Sequence, residues 1–91
     1  MKLARVAGTV VSTIKTPSLE GRRLLLCDYV DPDGNFTGKY VIAVDSVGAG
    51  VGEDVLILDE GSSARQVLDD PDAPVRAVVV GIIDEVSVDR R

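Results

Sequence analysis

The chain has no histidine and no tryptophan, one cysteine, one phenylalanine and two tyrosines. Without histidine it lacks the commonest general base and the commonest metal ligand. A lone cysteine forms neither an intrachain disulfide nor a multi-cysteine zinc site. Cys27 lies inside the apolar run LLLCDYV, where a packed thiol is expected. Aromatics make up 3% of the chain, so the core must be aliphatic, and stacking platforms for single-stranded nucleic acid are missing. Basic residues are outnumbered 10 to 15 by acids, for a net charge of −5. They are scattered, and the only adjacent pairs are Arg22–Arg23 and Arg90–Arg91. This balance opposes the clustered phosphate contacts that nucleic-acid binding needs. No apolar run approaches the length that spans a membrane. The opening MKLARVAGTVV, with Lys2 and Arg5, is not a signal peptide. The expectation is a soluble, cytoplasmic protein with no nucleic-acid or membrane partner.

What is present is a globular composition, 45% hydrophobic and 27% charged over 91 residues, enough for one domain spanning residues 1–91. A domain this small buries only roughly 60–65% of its unfolded surface, so association with other chains would help it. Period-two patterning predicts five strands: Lys2–Ile14, Arg22–Val30, Lys39–Asp45, Glu53–Asp59 and Val75–Val88. Gly8 and Gly81 interrupt the first and last, as barrel bends or bulges do. Lys15–Gly21 reads as a loop. DPDGNFTG, Asp31–Gly38, is the clearest hairpin turn, with Asp33-Gly34 supplying the positive φ. GSSARQVL, Gly61–Leu68, predicts a short helix, in which Ser63 and Gln66 form a capping box. Pro71 and Pro74 stop it.

This order predicts a mainly β fold, a small five-stranded OB-like barrel with one short helix. Several strands (LLLC, YVIAV, VLIL, AVVVGII) are apolar on both faces. A barrel points one face of each strand outward, and an outward apolar face predicts an obligate oligomer.

Four candidate sites carry chemistry. GAGVG places Gly48, Gly50 and Gly52 between apolar runs, as a phosphate cradle does. A dinucleotide fingerprint, however, needs GxGxxG opening a helix, and a P-loop needs Lys-Ser/Thr after its glycines. Here a strand follows and Glu53-Asp54 stand where a cation belongs, so a tight turn between strands is expected. The carboxylates Asp45, Glu53, Asp54, Asp59, Glu60 and Asp84 fall mostly at strand ends, where solvated acids are common, and no base accompanies them. DDPD, Asp69–Asp72, lacks the glycine and terminal glutamate of a calcium loop. Ser62, Ser63 and Arg65 open the predicted helix; capping is their expected role, and anion binding by a small-molecule-binding OB-like module is the alternative. The expectation is no enzyme, no cofactor and no metal.

Four segments together resemble the EutN/CcmL family of bacterial microcompartment vertex proteins. They are KLARVAGTVVSTIK (a G-x-V-V-x-T-x-K pattern), SLEGRRLLL, VDSVGAGVGEDVLI followed by GSSAR, and the closing AVVVGIIDEV. One departure is DDPDAPVRA, Asp69–Ala77, where the family often has a shorter segment. The resemblance implies an OB-like barrel assembling as a cyclic homopentamer with a narrow axial opening. Such pentamers cap the five-fold vertices of a shell, pack against hexagonal shell proteins and have no catalytic activity. It also implies that Gly48, Ala49, Gly50, Gly52 and Glu53, with Ser62, Ser63 and Arg65, lie near the axis or the subunit contact.

Overall fold

The computed structural model describes residues 1–11, 22–59 and 76–87. They form five strands: β1 Lys2–Val10, β2 Leu24–Val30, β3 Phe36–Asp45, β4 Asp54–Asp59 and β5 Ala77–Ile82. The strands close into a barrel in the order β1-β2-β3-β5-β4, with β4 returning to β1. All neighbours are antiparallel except β3 and β5, which run parallel. No helix occurs among the described residues; the expected helix at Gly61–Leu68, the loop at Lys15–Gly21 and the end of the first predicted strand lie outside them.

Alternation fills the barrel. β2 sends Leu25, Cys27 and Tyr29 inward and leaves Leu24, Leu26, Asp28 and Val30 half-buried. β4 does the same with Val55 and Ile57, and β1 with Ala4 and Val6. Small residues face large ones across the ladders: Ala4 opposes Tyr29, and Ala43 opposes Leu25. That matching lets a narrow interior fill without voids. Each fully buried Leu, Ile or Val stabilises the fold by about 1.5–3 kcal/mol relative to exposure. The Cys27 thiol is pushed up to about 11, first by burial and then by the charges of Asp28 and Asp45. It is a packed thiol, as its apolar run implied.

The two glycine interruptions correspond to bulges, each centred one residue earlier than the glycine. Val6 opposes Cys27 and Gly8 opposes Leu26, so Ala7 is the extra residue in β1. Ile57 opposes Val79 and Leu56 opposes Gly81, so Val80 is the extra residue in β5. Each bulge bends its strand around the barrel.

Several boundaries differ from the sequence expectation. β2 starts at Leu24; ahead of it the Arg23 carbonyl still accepts the Asp45 amide at 2.9 Å, and the Arg23 guanidinium reaches the β3–β4 loop. β3 starts at Phe36 and not Lys39: the turn closes within Asp31–Asn35, where the Asp31 amide donates to the Asn35 carbonyl at 2.9 Å, and Phe36 already pairs with Val30. β5 ends at Ile82 and not Val88. The Ile83 amide makes a last bond to the Asp54 carbonyl at 2.8 Å, and β4 offers no residue beyond Asp54 to pair with.

The parallel β3–β5 ladder is the shortest seam, with only Val44–Val78 and Asp45–Val79 in register. Ser46 extends it, since both its amide and its hydroxyl donate to the Val79 carbonyl. The glycine stretch begins at this seam.

Candidate functional site

The chain from Ser46 to Glu53 connects β3 to β4 and carries most of the predicted site residues. Asp45, the last residue of β3, is 9% exposed. Its Oδ1 accepts hydrogen bonds from the amides of Val47, Gly48 and Ala49 at 3.0, 2.9 and 3.2 Å. Successive amides converging on one oxygen form a nest, the arrangement that phosphate loops present to a ligand. Here the chain's own carboxylate fills it. The other oxygen, Oδ2, lies 3.6 Å from Arg23 Nη1, which also donates to the Ala49 carbonyl at 3.2 Å.

The second half of the loop is tied the same way. The Gly50 amide donates to Glu53 Oε1, and the Glu53 amide returns to the Gly50 carbonyl at 3.1 Å. The Gly52 amide donates to the Val6 carbonyl at 2.8 Å, and the Val6 amide donates to the Glu53 carbonyl at 3.0 Å. Gly48 and Gly52 have φ of 78° and 90°, in the left-handed region that a side chain disfavours. A Cβ on Gly50 would stand 3.2 Å from Glu53 Oε1. Ala49 is fully buried within the core cluster, so the loop plugs this part of the barrel.

The arrangement thus consumes the donors that an anion would use. Glycine spacing and repulsion by acids already oppose a phosphate cradle; in the folded chain the acids themselves occupy the amides. Asp45 is a correction, because it was expected among solvated strand-end acids and is instead buried and bonded. Glu53, Asp54 and Asp59 are also engaged. Asp54 accepts from Arg5 Nε at 2.8 Å; Asp59 accepts from the Tyr29 hydroxyl at 2.9 Å and from Arg76 Nε at 3.2 Å. Burial, then the bond to Asp59, push the Tyr29 hydroxyl up to about 12. Arg23 was not singled out by the sequence. The signal was available only in combination, since an arginine beside a strand start says nothing until its partner Asp45 is known. Ser62, Ser63 and Arg65 lie outside the described residues.

A separate cleft of about 280 Å³ runs between the hairpin turn and the end of β5, lined by Arg5, Asp31, Asp33, Asp54, Asp84 and Glu85 among others. Its one cation is paired with Asp54, and the Arg5 guanidinium also stacks 5.4 Å from the Phe36 ring centre. Among the described residues no group of three His, Cys, Asp or Glu side chains could hold a metal ion, and no helix is long and apolar enough to cross a membrane.

The sequence and the fold are similar to those of known proteins. Residues 1–84 match the family model described as ethanolamine utilisation protein EutN/carboxysome. The chain is 54% identical over 92 residues to the carboxysome shell vertex protein CcmL of a Nostoc species, covering 100% of this chain and 90% of that protein. The solved structure of Gloeobacter violaceus CcmL superposes with a TM-score of 0.87 at 50% identity, over 100% of this chain and 93% of that one. The pentameric microcompartment shell protein GrpN from Rhodospirillum rubrum does so with a TM-score of 0.83 at 43% identity, over 97% and 100%. On this near full-length agreement of sequence and barrel, the chain belongs to the EutN/CcmL family.

Proposed function

We propose that this protein is a structural subunit of a bacterial microcompartment shell, acting in the cytoplasm. It forms cyclic pentamers that occupy the five-fold vertices and close the polyhedral shell. The observation that carries the reading is the tied glycine loop. A family-typical stretch that resembles a ligand cradle has its amides satisfied from within, by Asp45 and Glu53, so it serves as a rigid piece of barrel. The relatives named as shell vertex proteins and pentameric shell proteins support the same reading.

The mechanism is geometric. A layer of hexagonal units is flat, and inserting a five-fold unit forces curvature. In a cyclic ring each subunit presents two different surfaces, one to each neighbour. A rigid subunit is needed, because angular play at each contact would multiply around the ring. As part of the proposal, the loop bearing Gly48, Ala49, Gly50, Gly52 and Glu53 lies at the subunit contact or the axial opening, together with Ser62, Ser63 and Arg65. The outer partners are hexagonal shell proteins, and the chain performs no catalysis itself.

Electron microscopy of shells assembled with and without this protein tests the reading. Omission is expected to leave elongated or open shells while purified cargo enzymes keep their turnover. Normally closed shells in its absence would contradict it.

A further inference from the structure

A groove of about 540 Å³ opens at the end of the barrel where β1 begins. Leu3, Val30 and Pro32 border both this groove and the acidic cleft, so they form the ridge between the two. The chemistry on the two sides is opposite. Asp31, Asp33, Asp84 and Glu85 line the cleft, whereas among the described residues lining the groove the only charged ones are Lys2 and Lys39. Alternation places them there. Lys2 precedes Ala4 and Val6 in the inward series of β1, and Lys39 precedes Val41 and Ala43 in that of β3. Where the core ends, inward positions line the mouth of the barrel.

The backbone of β3 is shaped at this mouth. Between the pairs Asp28–Tyr40 and Val30–Phe36, β2 has Tyr29 alone and β3 has Thr37, Gly38 and Lys39. Gly38 takes a φ of 86°, and no atom lies within 4 Å of where its Cβ would stand, so conformation and not space calls for glycine. The Thr37 hydroxyl braces the bulge: it donates to the Tyr29 carbonyl and accepts the Lys39 amide, both at 3.3 Å. Bulges re-aim side chains, and this one delivers Lys39 to the groove that Lys2 also lines. The Lys2 ammonium lies 5.1 Å from the centre of the Tyr29 ring, which holds it at the same place.

Charge decides what fits. Arg5, Arg23 and Arg76 each face a carboxylate, but neither Lys2 nor Lys39 forms a salt bridge with a described residue. Two ammonium groups beside apolar walls, in a chain of net charge −5, select an anion and offer its body a dry surface. The acids beyond the ridge repel the same anion from the cleft. The volume suits a small molecule, and barrel mouths are among the places where such ligands bind. We propose that this mouth binds a small organic anion with an apolar body, such as an aliphatic carboxylate. Lys2 and Lys39 hold the carboxylate, and Leu3, Val30 and Pro32 carry the body. This goes beyond the shell reading and does not depend on it.

The test titrates the intact protein with hexanoate, hexanol and acetate, read by saturation-transfer NMR. Hexanoate has both charge and body, and each of the others has one. Hexanoate should bind at least about tenfold more tightly than either. The double variant Lys2→Met/Lys39→Met keeps the side-chain stems and removes both charges. It should weaken hexanoate by at least about tenfold while native mass spectrometry shows the wild-type assembly. Hexanol or acetate binding as well as hexanoate overturns the inference, and so does a double variant that binds hexanoate like the wild type. Either result leaves the shell reading standing, and a failure of the pentamer leaves this inference standing.

If the variant does not fold, acetylation of the wild-type protein decides. The chain has three lysines, Lys2, Lys15 and Lys39. Saturating hexanoate should slow acetylation of Lys2 and Lys39 by about threefold or more relative to Lys15, and hexanol should not. Equal rates with and without hexanoate, or equal slowing of all three lysines, overturn the inference.

Discussion

Among the described residues two turns are capped by an aspartate, and burial separates them. In the hairpin between β2 and β3, Asp31 Oδ1 accepts the amides of Asp33 and Asn35 at 2.9 and 3.0 Å, and Gly34 takes a φ of 87°. In the β3–β4 loop, Asp45 Oδ1 accepts the amides of Val47, Gly48 and Ala49, and Gly48 takes a φ of 78°. The local chemistry is nearly the same. The Asp31 turn faces water, which can replace a lost acceptor. The Asp45 loop is packed on the core through Ala49 and stands at the shortest seam of the barrel. A similar Asx arrangement is a convenience in one place and a structural requirement in the other.

The largest expected effect is at Asp45. Asp45→Ala strands three amides and removes the charge facing Arg23, and should destabilise by about 3 kcal/mol or more, read as a shift in the denaturation midpoint at fixed protein concentration. A loss below about 1 kcal/mol would erase the difference from Asp31. Next is Gly52→Ala, where a side chain must adopt positive φ; about 1–2 kcal/mol is expected. Gly8→Ala is its control. Gly8 has no positive φ, and no atom lies within 4 Å of where its Cβ would stand, so the change should stay within about 0.5 kcal/mol.

Asp31→Ala should cost only about 0.5–1 kcal/mol, because its amides can turn to solvent. An effect equal to that of Asp45→Ala would mean that burial does not separate the two turns. The last effect, absent at neutral pH, is alkaline. Cys27 and Tyr29 have folded values raised to about 11 and about 12 from 9.0 and 10.0. A group raised on folding contributes its full stability below the unfolded value and loses it as pH rises toward the folded one. Stability should therefore fall from about pH 9 to 12, and Cys27→Val should remove the part between about 9 and 11.

The barrel was legible because alternation survives in β1, β2 and β4: Leu25, Cys27 and Tyr29, for example, all face in. Gly8 and Gly81 marked bends, but the bulges fall on Ala7 and Val80, since a glycine signals that a strand yields and not which residue is left unpaired. The ends of β3 and β5 were missed for a related reason. A strand stops where its partner stops, and Asp54 as the limit of β5 is a long-range fact. The glycine loop was correctly read as a turn, yet Asp45 was misread. Its burial depends on Arg23 arriving from ahead of β2 and on Ala49, four residues on, packing into the core, and neither is announced by the local sequence. The expected apolar outer faces are present unevenly: Val78 and Val79 are both buried, and the exposure concentrates on Tyr40 and Ile42.

On the proposed reading, a small aliphatic barrel whose glycine loop is tied by its own carboxylates functions by closing a ring. Native mass spectrometry of the intact wild-type protein at micromolar concentration puts that to the test. A single dominant species of five chains is expected; a stable monomer, or a ring of any other number, would contradict it.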